Sequence, residues 1–199
     1  MEQTLTTHIG PGARTGAHRE RLKLGMWLFL GSEVMFFSGL IIAYLVLRFR
    51  SPTWPVPSEI LDVPVTALNT FFLIVSSYTV VRSLEAIRRG DVERLQVGLA
   101  QTLILGVTFL SIQAYEYNHL ITVEGLSLNG SLFGATFFTL TGFHGFHVLI
   151  GVLVLLWVLS KAMRGEFSKD NWIGVEIFGL YWHFVDLVWI ILFTIVYLI

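Results

Sequence analysis

Cysteine is absent from the 199 residues, which excludes disulfides, thiolate metal sites, iron–sulfur clusters and a cysteine nucleophile. Charge is nearly as scarce. Asp, Glu, Lys and Arg make up 14% of the chain, against roughly a quarter in a soluble domain. The net charge is −1, and no basic patch or nucleic-acid motif occurs, so no nucleic-acid partner is expected. No nucleophile–base set, phosphate loop or run of acidic ligands is present, and no period-two alternation of the kind a membrane barrel needs. What remains is apolar: 54% of residues are hydrophobic and the mean hydropathy is +0.71. This is not the composition of an ordinary soluble protein.

The apolar residues fall in five windows almost free of charge, Leu24–Leu47, Val63–Val81, Leu95–Tyr115, Gly125–Ser160 and Ile177–Ile199. A helix crosses the hydrocarbon core with about 20 residues. Each window therefore predicts one crossing, the longest being a helix with its approach loop. The fold class is an all-α integral membrane protein with five transmembrane helices. The opening "MEQTLTTHIGPGARTGAHRERLK" has no apolar core before a cleavage site and reads as a polar tail rather than a signal peptide. The division is a solvated tail over residues 1–22 and one membrane domain over 23–199.

Eleven of the thirteen Lys and Arg residues lie in alternate hydrophilic stretches, around Arg14–Lys23, Arg82–Arg94 and Lys161–Lys169; Arg48 and Arg50 alone lie on the other side. Basic excess marks the cytoplasmic face, which predicts a cytoplasmic N-terminus and an outside C-terminus. Four of the five prolines, Pro52, Pro55, Pro57 and Pro64, stiffen the first outer loop into a non-helical cover. No proline interrupts a crossing, against the broken helices of a secondary transporter. Gly98, Thr102 and Gly106 on the third segment, and Gly142, Gly145 and Gly151 on the fourth, form small-residue ridges suited to close helix packing.

Five ionisable side chains lie deep in the windows: Glu33, His144, His147, His183 and Asp186. An Asp at that depth costs about 2.5–3.5 kcal/mol on insertion scales, so such groups face a bundle interior and pair. Glu176, Gly179, His183 and Asp186 share one face of the fifth segment, and Thr141, His144, His147 and Gly151 one face of the fourth. At about 1.5 Å per residue the two stripes overlap in height. This predicts that His147, with His144 as second candidate, hydrogen-bonds the His183–Asp186 face and locks the two helices together. A sharper alternative is a metal or haem site built from the two His pairs and Asp186, although di-iron bundles use several carboxylates. Glu33 sits among Phe29, Leu30, Phe36 and Phe37, opposite Gly31, Ser32, Ser38 and Gly39. If the small side is the packing seam, Glu33 faces a looser space or lipid. "QAYEYNHL", with Glu116 and His119, reads as an interfacial helix end.

The stretches "GMWLFLGSEVMFFSGLIIAYLVLR", "LNTFFLIVSSYTV", "IQAYEYNHL", "GSLFGATFFTLTGFHGFHVLIG" and "YWHFVDLVWIILFTIVYL" resemble, in order, the five C-terminal helices of subunit III of haem-copper terminal oxidases. The likeness covers roughly residues 24–199 and is that of the short bacterial form, without the two N-terminal helices of the mitochondrial type. It implies an accessory subunit in the bacterial cytoplasmic membrane with no catalytic, cofactor or metal residue of its own. Haem and copper would sit in partner subunits I and II. It also implies helices arranged as a V with phospholipid in the cleft, and support for the proton-uptake side of subunit I. By the same resemblance Glu33 matches a carbodiimide-reactive membrane carboxyl, His144 and His147 match "GFHGxH", and His183 and Asp186 match "WHFVD". Cytochrome c oxidases, quinol oxidases and complexes associated with nitric oxide reductases share the pattern. A stand-alone membrane metal or haem protein is the alternative class.

Overall fold

The computed structural model describes residues 11–199, with side chains from residue 16. It is helical, and no strand occurs among the described residues. The first segment is α1, Pro11–Arg50. It starts well before the hydrocarbon-like stretch, so residues 11–22 of the expected polar tail belong to the helix, and residues 16–22 are largely exposed. Ala, Arg, Glu, Leu and Lys favour this. Residues 1–10 of the expected tail lie outside the described residues.

The proline-rich cover is not wholly irregular either. Pro57–Ile60 forms one helical turn, α2, with proline at its start, where a missing N–H costs nothing. Trp54 is wedged edge-on between Tyr44 and Phe133, at 5.5 Å from each ring, which fastens the loop to the bundle.

The other segments are α3 (Val63–Arg88), α4 (Val92–Thr122), α5 (Leu132–Met163) and α6 (Ile173–Phe193), the last passing into a π-helical turn over Thr194–Leu198. Asp62, Asp91 and Ser131 cap α3, α4 and α5, their side chains accepting from the amides of Val65, Arg94 and Gly134 at 3.1, 3.0 and 3.0 Å. Gly90, at φ +86, makes the tight α3–α4 turn. Among the described residues, five helices are long and apolar enough to cross a membrane.

α3, α4, α5 and α6 close into a four-helix ring, and α1 lies outside it in the groove between α5 and α6. The five helices are therefore a ring with one flanking helix rather than two splayed arms. α6 touches α1, α3 and α5 and is the hub. The small-residue ridges are packing surfaces. A Cβ on Gly98 would collide with the Ser83 hydroxyl, and Thr102 bonds Thr79 of α3 at 2.7 Å. Gly106 and Gly151 face each other across the Trp182 indole, each 2.8 Å from it at the Cβ position. On α1 the roles are reversed from expectation. Leu30, Phe37 and Tyr44, spaced by seven, are buried in the α5–α6 groove, while Gly31 and Gly39 face away with nothing within 4 Å. Bulky side chains fill the wide groove between two helices where small ones would leave voids.

Candidate intramembrane polar site

Placing Leu30 and Phe37 inward carries Glu33 inward with them. Its Oε2 lies 3.1 Å from Nε2 of His147, both side chains mostly buried. Phe37 packs edge-on against the His147 ring at 5.0 Å, and Phe36 meets Phe143 at 5.1 Å. Glu33 therefore does not face lipid alone. The other ring nitrogen, Nδ1, lies 2.7 Å from the carbonyl of Phe143. A carbonyl only accepts, so Nδ1 carries a hydrogen. Nε2 then either accepts from a protonated Glu33 or, as part of an imidazolium, donates to its carboxylate. The two arrangements have the same net charge and differ by one proton moved along a single hydrogen bond.

The expected bond from His147 or His144 to the His183–Asp186 face is not formed. Residues three apart on a helix diverge by about 60°, and here that decides the partner. His147 turns to α1. His144 is fully buried, stacked on Trp189 at 4.8 Å and edge-on to Phe109 at 5.9 Å, and neither ring nitrogen has a protein partner. Asp186 is buried towards α3 beside the Ser77 hydroxyl, without a well-formed bond, and its Oδ1 has no partner. His183 is half-buried. The lock between helices is made by their aromatic neighbours. Tyr181 donates to the His147 carbonyl at 2.9 Å, Trp182 to the Ser76 hydroxyl at 2.9 Å and Trp189 to the Thr70 hydroxyl at 2.9 Å. α6 is thus registered against α5 once and α3 twice. His147 faces α1, His144 the Trp189 ring and Asp186 α3, and no group of three or more metal-ligating side chains occurs among the described residues.

Glu116 is the polar group that sequence reasoning misplaced. It is buried, accepting from the Thr66 hydroxyl at 3.1 Å and from the Tyr197 hydroxyl at 3.2 Å. Beside it, Tyr117 and Thr141 share a 2.7 Å bond and Gln113 donates to the Thr141 carbonyl at 3.1 Å. The signal was present. Gly98, Thr102, Gly106, Phe109, Gln113 and Glu116 follow helical spacings of four, four, three, four and three, so the ridge continues inward to the carboxyl.

At the basic end Glu176 receives Lys23 at 3.1 Å and Arg88 at 3.2 Å. Trp172 lies under Arg88, Arg19 and Lys23 at 4.4, 5.4 and 5.7 Å. These contacts tie α1, α3 and α6 together. Just membraneward, an apolar groove of about 420 Å³ lies between α1, α5 and α6, walled by Phe29, Trp157, Phe178 and Tyr181. Lys161 stands over Trp157 at 4.4 Å near its mouth.

The family model described as cytochrome c oxidase subunit III matches residues 4–199. Among similar proteins, cytochrome c oxidase subunit 3 of Synechocystis sp. is 39% identical, over 100% of this chain and 85% of its own. That of Bacillus sp. (strain PS3) is 36% identical over 99% and 96%. Quinol oxidase subunit 3 of Bacillus subtilis (strain 168) is 36% identical over 88% and 85%.

Proposed function

We propose, from the premise that this chain belongs to the cytochrome c oxidase subunit III family, that it is a non-catalytic subunit of a cytochrome c oxidase. In this reading it stands beside subunits I and II in a bacterial cytoplasmic membrane. Membership makes it the third subunit of a haem-copper terminal oxidase and a multi-pass membrane protein. One observation carries the lack of catalysis. The intramembrane polar groups have separate surroundings: Glu33 pairs with His147, Glu116 accepts from Thr66 and Tyr197, His144 stacks on Trp189, and Asp186 is buried towards α3. They converge on no shared reaction centre.

The groove between α1, α5 and α6 supports a lipid-holding role: its walls are apolar, and Lys161 and Lys23 stand at the end where a phosphate group would sit. The excess of basic residues at that end supports a cytoplasmic N-terminus. Haem and copper then belong to subunits I and II.

The test is to purify the tagged chain with whatever it carries, and then alone. The complex should contain subunits I and II, show haem absorbance and consume oxygen with cytochrome c. The separated chain should bind neither haem nor metal, and the remaining complex should keep its initial rate. Haem or metal on the isolated chain would overturn the non-catalytic reading. A subunit II competent only with quinol would move the complex to the quinol oxidase class.

A further inference from the structure

A second groove, of about 390 Å³, lies between α3 and α4 at the basic end, lined by residues of those two helices and their turn and separate from the groove described above. Its upper rim carries Arg82, Arg89 and Arg94, and its lower wall Tyr78, Val97 and Gln101. Arg89 is paired with Glu85, and Arg94 with Asp91 at 3.2 Å. Arg82 has no carboxylate partner among the described residues. Its guanidinium donates to the Tyr78 hydroxyl at 3.0 Å and stands 5.9 Å above that ring. Three guanidiniums and two carboxylates leave the rim one unit positive, and the uncommitted charge is the one nearest the membrane.

From Arg89 to Tyr78 is eleven residues of α3, roughly 16 Å along the axis. The groove therefore runs from the level of the α3–α4 turn into the apolar layer. Gly98 sits at its floor, where the lack of a side chain lets α4 approach α3 closely.

We propose that this groove binds one anionic phospholipid, with the phosphate held by Arg82 and the rim and the first part of an acyl chain against Tyr78 and Val97. A planar guanidinium presents a fork of donors matched to phosphate oxygens, and Arg82 gives up only a neutral hydroxyl to reach one. A zwitterionic headgroup would bring its own cation to a rim that is already positive. Free phosphate would leave the apolar half of the groove unused. The site requires only that the basic end lie at a membrane surface, on whichever side, and does not depend on the non-catalytic reading or on the electron donor.

The test uses the intact detergent-purified complex and a photoactivatable phosphatidylglycerol, with the labelled peptide located by mass spectrometry. Labelling is expected within residues 78–101 and should saturate. A basic side chain near a membrane surface strengthens anionic lipid binding by roughly five-fold, so Arg82→Gln should weaken labelling there by about that factor. Val97→Trp should block labelling without altering charge, which separates groove filling from electrostatics. Lys161→Gln should leave this site unchanged. Competition by unlabelled phosphatidylglycerol is expected, and none by phosphatidylcholine or glycerol phosphate. Equal labelling in wild type and both groove variants would overturn the proposal. So would equal competition by phosphatidylcholine, displacement by glycerol phosphate, or no labelling of the intact complex because a partner subunit covers the face. Unchanged size and haem spectrum of each variant complex exclude misfolding as the cause of loss.

Discussion

Glu33 of α1 and His147 of α5 meet at 3.1 Å across 114 positions of sequence, and the Phe143 carbonyl holds the far side of the imidazole. The pair fixes the one helix that lies outside the four-helix ring. It also makes the hydrogen at Nε2 a property of both residues, since neither can change its protonation without redefining the bond.

That bond predicts a difference between two substitutions at one position. The amide of Glu33→Gln can donate to Nε2 with nearly the same shape, so the variant should assemble and keep its initial oxygen consumption. Glu33→Leu leaves Nε2 unpartnered and should cost about 1–3 kcal/mol, read as a lower melting temperature of the assembled complex. Equal losses in both variants would mean that the bond contributes nothing.

The Trp182 clamp predicts which glycines are irreplaceable. A methyl group at Gly106 or Gly151 would sit 2.8 Å from an indole whose N–H is already tied to Ser76, so the ring cannot simply move. Gly106→Ala and Gly151→Ala should each destabilise by about 1–3 kcal/mol. Gly142, whose nearest atom is 3.8 Å away, should accept alanine without loss. Denaturation of the three variants side by side decides the matter, and equal sensitivity at Gly142 would contradict the clamp.

Glu116 should govern the order of the C-terminal turn through Tyr197. Glu116→Leu strands the Tyr197 hydroxyl in an apolar setting, at about 1–3 kcal/mol for an unsatisfied buried group, while Thr66 keeps its 2.9 Å bond to the Asp62 carbonyl. Hydrogen exchange over residues 194–199 should accelerate in Glu116→Leu and change less in Glu116→Gln. Unaltered exchange in the leucine variant would show that the bond to Tyr197 does not hold the turn.

The α5–α6 loop supplies the acid dependence. Hydrogen bonds from Arg164 and then Lys161 hold the Glu166 carboxyl below its ordinary value of 4.5, and the Glu166 carbonyl accepts from Asn171 at 2.8 Å. A depressed carboxylate contributes order above its unfolded value and loses it as pH falls through the folded one. Exchange in residues 164–172, normalised to the intrinsic amide rate at each pH, should therefore be flat from neutral pH down to about 4.5 and rise below it. Glu166→Gln should abolish that rise. An onset near neutrality would assign it to another group.

The topology prediction follows from charge alone. A reporter fused after Ile199 should be active only outside the cytoplasm, and cytoplasmic activity would invert every assignment of sides.

The five crossings and the inward faces of α4, α5 and α6 were legible because they depend on the transfer of single segments into an apolar phase. The choice of neighbour was not. Spacing put His144 and His147 on one face of α5, yet the 60° between the two positions sends one ring to Trp189 and the other to Glu33. Height along the membrane is a property of one helix, whereas azimuth is a property of a pair. The α1 seam was misread because small residues suit two helices in close contact, while a helix laid in the groove between two others is better served by Leu30, Phe37 and Tyr44. Glu116 was overlooked although the ridge from Gly98 pointed to it.

Docking α1 on α5 and α6 has a consequence for biosynthesis. α1 is translated first, but its binding surface is completed only by Ile173–Phe193, more than a hundred residues later. At about 5–20 residues per second, the first helix waits on the order of ten seconds in the bilayer before its groove exists. Until α5 emerges, within that interval, Glu33 has no His147. The last helix to emerge both closes the ring and completes the seat of the first, so loss of α6 should leave α1 inserted but held by α5 alone, a substrate for membrane quality control.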